Sequence, residues 1–209
     1  MSVSMTDLRK QFSACGENVI VDPNAIIHAP QCLSVGNNVT IMHGFHLHDA
    51  LRIGRIGNDV TIYPNVFIQG SSELIIEDHV TLYPGVYLST GNSEKSFIHI
   101  GHHSHFAPNA VLYGHGGLTI GPYCNIASHV VLATVGHDHH VTDIPMALAP
   151  SVAGPITLEQ DIWIGANATI IANTHIAQGC VIGANSVLTK DTKPRGIYMG
   201  IPAKWVKDR

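Results

Sequence analysis

Charge is scarce in this chain. Only 12% of its residues are Asp, Glu, Lys or Arg, against 45% hydrophobic, which suits a molecule that invests its length in one buried core. No apolar run approaches the roughly 18 residues of a membrane span, so no membrane insertion is expected. The N-terminal "MSVSMTDLRKQF" lacks the basic start and apolar stretch of a secretion signal. The four cysteines, Cys15, Cys32, Cys124 and Cys180, are far apart with no CxxC pair. They read as reduced thiols of a cytoplasmic protein rather than a disulfide framework. The formal net charge of -4 argues against whole-molecule attraction to nucleic acid. Glycine and proline are plentiful but dispersed, so no disordered tract is expected.

The few charges are unevenly placed. Lys190, Lys193, Arg195, Lys204, Lys207 and Arg209 crowd the last twenty residues beside Asp191 and Asp208, leaving that tail at +4 and the remainder at -8. A basic tail on an acidic body fits either an anionic ligand near the C-terminus or a solvated, solubilising end.

The dominant feature is a six-residue repeat. In register, the chain reads "VGNNVT IMHGFH L", "IGNDVT IYPNVF I", "IEDHVT LYPGVY L", "IGHHSH FAPNAV L", "IGPYCN IASHVV L", "LEQDIW IGANAT I" and "IAQGCV IGANSV L". Openers such as Ile56, Ile76, Ile100 and Ile120 recur every 20 to 24 residues, three hexads plus a short insertion. Three short strands per period make a triangular coil whose openers point inward and stack on the coils above and below. The fifth positions (Val60, Val80, Ala110, Cys124, Ala168, Ser186) are small enough for the corners, where Gly or Asn accepts a tight backbone. Burying each opener is worth about 1.5–3 kcal/mol. This pattern resembles the hexapeptide-repeat family. The resemblance spans residues 19–203 and implies a left-handed parallel β-helix of about seven coils. Residues 1–18 are expected to supply a short N-terminal helix and cap, helical over 5–13, and 204–209 a basic C-terminal tail.

The repeat breaks once. After "IGPYCNIASHVVLATVGH" it resumes only at "ITLEQDIWIG", with the eighteen residues Asp138 to Pro155 between. A loop of that length is usually functional, and Ile144, Met146, Leu148 and Val152 suggest that it packs on a neighbouring subunit. "TVGHDHH", the loop and "DIWIG", followed by "ANATIIANTHIAQGCVIGANSVLTKD" and "GIPAK", are similar to the galactoside and maltose O-acetyltransferase branch of that family. The resemblance implies His137 as catalytic base and a coenzyme A slot lined at Ala166, Ala184, Thr189 and Lys190. Lys204 would reach the coenzyme's phosphates as a point charge. It also implies a homotrimer with sites between subunits, acetyl-CoA as co-substrate, no metal, and a sugar or glycan acceptor.

The chemistry is coherent. An imidazole, with an ordinary pKa of about 6.5, suits removal of a hydroxyl proton near neutrality. The hydroxyl then attacks the thioester directly, and the backbone N–H near Ala166 would hold the oxyanion. Trp163 would flank the acyl or acceptor pocket, unless it is a face residue packing on a neighbour. Asp138 would orient His137 or serve as a turn residue. Galactoside acetyltransferases place an acceptor-binding Asn about thirty residues before the histidine. Ungapped counting puts Ala107 there, with Asn109 two residues on at the same strand parity. His79, His129 and His175 read as corner or outward residues. "HHSH" (His102, His103, His105) and "HDHH" (His137, His139, His140) instead resemble material for a zinc site like that of γ-class carbonic anhydrases. An N-acetyltransferase of nucleotide-linked amino sugars and a non-catalytic scaffold are the further alternatives.

Overall fold

The computed structural model describes residues 7–209. Three parallel sheets wrap around one continuous core as a β-helix. The first face stacks Ala14–Cys15, Leu33–Val35, Ile53–Ile56, Glu73–Ile76, Phe97–Ile100, Leu118–Ile120, Ile156–Leu158 and Thr174–Ile176. The second face runs from Ile20–Val21 to Val181–Ile182, and the third from Ile26–Ile27 to Val187–Leu188. One strand from each face makes a coil, and there are eight, one more than the hexads reveal. The extra coil is the first, whose leading strand Ala14–Cys15 has no aliphatic opener and so hides from a search for hydrophobic periodicity.

Each strand contributes one inward side chain per hexad. Ile62, Leu82, Phe106, Ile126 and Ile164 fill the second face, and Ile68, Leu88, Leu112, Leu132 and Ile170 the third; all are at most 1% exposed. Fifth-position residues lie buried where the chain turns. At the corner between second and third faces, Asn65, Asn109, Asn167 and Asn185 adopt φ of +57 to +61°, a left-handed turn that Asn tolerates because its short amide satisfies the local backbone. Gly85 takes the same conformation at φ +72°.

The N-terminal end differs from expectation. In place of a helix over 5–13, the described residues hold one 3-10 turn, Leu8–Gln11, capped by the Asp7 carboxylate accepting from the Arg9 N–H. The chain then extends at once to bury Phe12 against the prism; residues 5 and 6 lie outside the described residues. At the other end the basic tail is ordered. Ala203–Asp208 pairs antiparallel with Gly196–Gly200, which continues the second face. Arg209 donates to the Asp161 carboxylate at 3.0 Å and to the Gly179 carbonyl at 3.2 Å. Among the described residues no helix is long and apolar enough to cross a membrane.

Candidate active site

The interruption leaves the prism at the third corner, between the third and first faces, after the sixth coil. Its root is a buried threonine. Thr134 donates through Oγ1 to the Tyr113 carbonyl at 2.8 Å and accepts from the Gly116 N–H at 3.2 Å. Its own carbonyl receives the Gly154 N–H at 2.9 Å. Gly116 lies so close to Gly154 that a Cβ would collide with its backbone. From this anchor the segment forms a two-stranded arm, Val135–His137 antiparallel to Ser151–Ala153, with a 3-10 turn at Met146–Leu148. Ile144, Met146, Leu148 and Val152 are exposed on it.

His137 is the last residue of the outgoing strand, opposite Ser151. Its Nδ1 lies 3.2 Å from the Ala149 carbonyl. A carbonyl only accepts, so Nδ1 carries the proton, and Nε2 is left with an unshared pair. The imidazole faces a cavity of about 490 Å³ lined also by Asp138, His139, His140, Val152, Ile171 and Asn173. Asp138 shares this cavity, but its carboxylate accepts the His140 N–H at 3.0 Å within the turn. The group that sets the ring's tautomer is thus the Ala149 carbonyl. A backbone oxygen twelve positions away has no signature in sequence.

Other expected residues stand elsewhere. Asn109 sits at the second corner of the fifth coil, its amide 3.3 Å from His129, and does not line the His137 cavity. Trp163 points outward from the second face, 52% exposed. Thr189 and Lys190 follow the last strand of the third face, on the same corner as His137 and two coils beyond the arm. Ala166 and Ala184 occupy the second corner, with Lys204 beside them on the terminal hairpin through its pairing with Met199.

That second corner carries a pattern of its own. Equivalent positions through the eight coils are Pro23, His43, Pro64, Pro84, Pro108, Ser128, Ala166 and Ala184. The regular corner bond comes from the next residue, for example Asn109 N to Pro84 O at 3.1 Å and Asn185 N to Ala166 O at 2.9 Å. The position itself therefore needs no donor, and proline suits it. From the sixth coil onward proline disappears. The N–H groups of Ser128, Ala166 and Ala184 find no acceptor among the described residues. They follow one another on successive coils, spaced by the inter-strand distance of about 4.8 Å. Ser128 was not singled out from the sequence, although the loss of proline at its hexad position marks it.

The remaining histidines divide clearly. His79, His103 and His129 are corner residues with φ near +60°, and the His175 Nε2 lies 2.9 Å from Glu159. Neither the His102, His103, His105 group nor the His137, His139, His140 group brings three ligand atoms together. His102 and His103 fall in a turn rather than on a shared strand face, so the alternation needed for a common metal is lost. The buried Cys124 thiol donates to the Glu159 carbonyl at 3.3 Å, and burial pushes its pKa up to about 12. It offers no thiolate nucleophile near neutrality.

A family model described as bacterial transferase hexapeptide (six repeats) matches residues 155–190. The chain is 30% identical to galactoside O-acetyltransferase of Escherichia coli over 134 residues, 64% of this chain and 63% of that protein. It is 31% identical to a probable macrolide acetyltransferase of Lysinibacillus sphaericus over 132 residues, 56% of this chain and 69% of that one. The chain thus spans a little under two thirds of the first relative's length. Among solved structures, a variant of AntD, an N-acyltransferase from Bacillus cereus crystallised with dTDP and coenzyme A, superimposes with a TM-score of 0.54 at 23% identity. That match covers 96% of this chain and 86% of the other, a likeness of fold.

Proposed function

The chain belongs to the hexapeptide-repeat acetyltransferase family, and from that premise we propose that it transfers an acetyl group from acetyl-CoA to a sugar or glycan hydroxyl. The observation that carries this reading is the Nδ1–H···O=C bond from His137 to Ala149, which leaves Nε2 as a base facing an open cavity. Nε2 takes the proton of the acceptor hydroxyl as its oxygen attacks the thioester carbonyl. The tetrahedral oxyanion is held by the Ala166 N–H. Collapse breaks the carbon–sulfur bond, and the imidazolium returns its proton to the departing thiolate. General-base assistance of this kind contributes about 10²–10⁴ in rate.

The two halves of this machinery lie on different corners of one chain. His137, Thr189 and Lys190 line the third corner, whereas Ala166, Ala184 and Lys204 line the second, with Trp163 on the adjoining second face. A closed three-fold ring, in which each chain's second corner meets its neighbour's third, joins them without distortion. The exposed apolar residues of the arm support such a homotrimer, with coenzyme A lying along the seam. The free N–H column receives its amide carbonyls and Lys204 its phosphates.

A screen of acceptor sugars with detection of released free thiol tests the assignment. Hydroxyl sugars should release coenzyme A in a His137-dependent manner. Release only with amino sugars would replace the hydroxyl acceptor by an amine, and release with neither would remove the reading.

A further inference from the structure

At the opposite end of the prism from the proposed active site, three histidines meet on the third face. His46 lies on the short strand His46–Leu47 of the second coil and His48 directly follows it, so the two flank the inward Leu47 and stand at the surface. The first coil runs parallel beneath, with Ile26 beside His46 and Ile27 beside Leu47. This brings His28 abreast of His48. The candidate ligand atoms of all three lie within 4.8 Å of one another, and they are the one such trio of His, Cys, Asp or Glu among the described residues.

The geometry points to a divalent transition-metal site, of the zinc class, formed by His28, His46 and His48 of a single chain. Two nitrogens each at 2.0–2.1 Å from a tetrahedral ion stand about 3.3 Å apart. The Nε2 atoms of His28 and His46 are separated by 3.4 Å, one edge of that tetrahedron already drawn. The rings are held for the purpose. His28 stacks on His46 with centroids 5.3 Å apart, and Phe67 of the third coil lies against His46 and His48, its centroid 4.8 Å and 6.1 Å from theirs. Three imidazoles without thiolate or carboxylate suit zinc, copper(II) or nickel(II) over magnesium or calcium, and a water completes four-coordination.

The location gives the ion work. Among the described residues the first coil has a neighbouring coil on one side only, and its Ile20 and Ile26 remain exposed. A metal shared by His28 of that coil and two ligands of the next would pin the terminal coil of a solenoid, where stacking is weakest.

The test uses full-length protein carrying no polyhistidine tag. Elemental analysis after equilibration with zinc should give one ion per chain. Cobalt(II) alone should produce the intense visible bands of a four-coordinate ion. Zinc should slow amide exchange over residues 14–27. His28→Ala, His46→Ala and His48→Ala should each lower zinc affinity by on the order of 100-fold, while their melting in chelator matches that of the parent. His103→Ala should keep both the ion and the cobalt spectrum. Parent-level zinc affinity in His46→Ala overturns the proposal, as does a six-coordinate cobalt spectrum or one ion per three chains. These readouts are metal binding and exchange, independent of acetyl transfer.

Discussion

Replacing Ala166 by proline separates the donor role of one backbone N–H from everything else the residue does. At four of the eight equivalent corners proline is already present, at Pro23, Pro64, Pro84 and Pro108. The corner bond Asn185 N to Ala166 O uses the carbonyl and survives the change. Proline placed in a compatible conformation stabilises by about 0.4–1 kcal/mol through the unfolded state. For a chain of this size that amounts to a Tm higher by roughly 1–4 °C. Loss of one oxyanion donor costs about 10²–10³ in kcat, or roughly 2.7–4 kcal/mol of transition-state stabilisation. The signature is therefore a protein at least as stable as the parent and nearly inactive. His43→Pro, at the same corner of the second coil and remote from the site, should share the stability and keep the activity. Steady-state kinetics by thiol release and a thermal melt by circular dichroism measure both. Turnover in Ala166→Pro within about tenfold of the parent would refute the donor assignment. A collapsed melting transition would refute the equivalence of the corners.

His137 is exposed on the arm, so His137→Ala should lose about 10²–10⁴ in turnover with little change in melting temperature; near-parental turnover would remove it as the base. Lys204→Ala removes the charge proposed to face the coenzyme's phosphates and should weaken coenzyme A binding by roughly 10- to 100-fold. Calorimetry reads that loss, and a change confined to the acceptor's KM would contradict the role.

The fold was legible because the hexad imposes one inward aliphatic per strand, and nothing but a stack of coils satisfies that demand through Ile56, Ile76, Ile100 and Ile120. The first coil escaped because Ala14 and Cys15 pair through their backbone without burying a side chain. The candidate site was legible as the place where regularity broke, because the arm that carries His137 leaves the prism there. It was not legible where the backbone acts. The Ala149 carbonyl orients the imidazole, a task that a reading of side chains naturally gives to the nearby carboxylate of Asp138. Strand parity does not describe the direction of Asn109, because parity assumes continuous extension and Asn109 sits at φ +61°, where the chain turns between faces and alternation is reset. The same reset disqualifies His102 and His103 as strand partners. The trio that does converge, His28, His46 and His48, depends on the register between two coils, which hexad counting through the irregular first coil does not supply.

The division of the machinery between corners makes a prediction that no single-chain arrangement shares. His137 leaves the prism at the third corner and Ala166 lies at the second, so in the proposed closed ring each site would take its base from one chain and its oxyanion donor from the next. Chains carrying His137→Ala and chains carrying Ala166→Pro are each inactive alone. Co-expressed in equal amounts with distinct tags, they assort at random. A site is then intact when the base comes from an Ala166→Pro chain and the donor from a His137→Ala chain. Each condition is met half the time, so roughly one quarter of the parental specific activity should return in the mixture. If base and donor belonged to the same chain, every site would lack one of them, and mixing would restore nothing. Activity of the doubly tagged fraction that stays at the level of the separate variants therefore rules out the shared seam, whatever the oligomeric state proves to be.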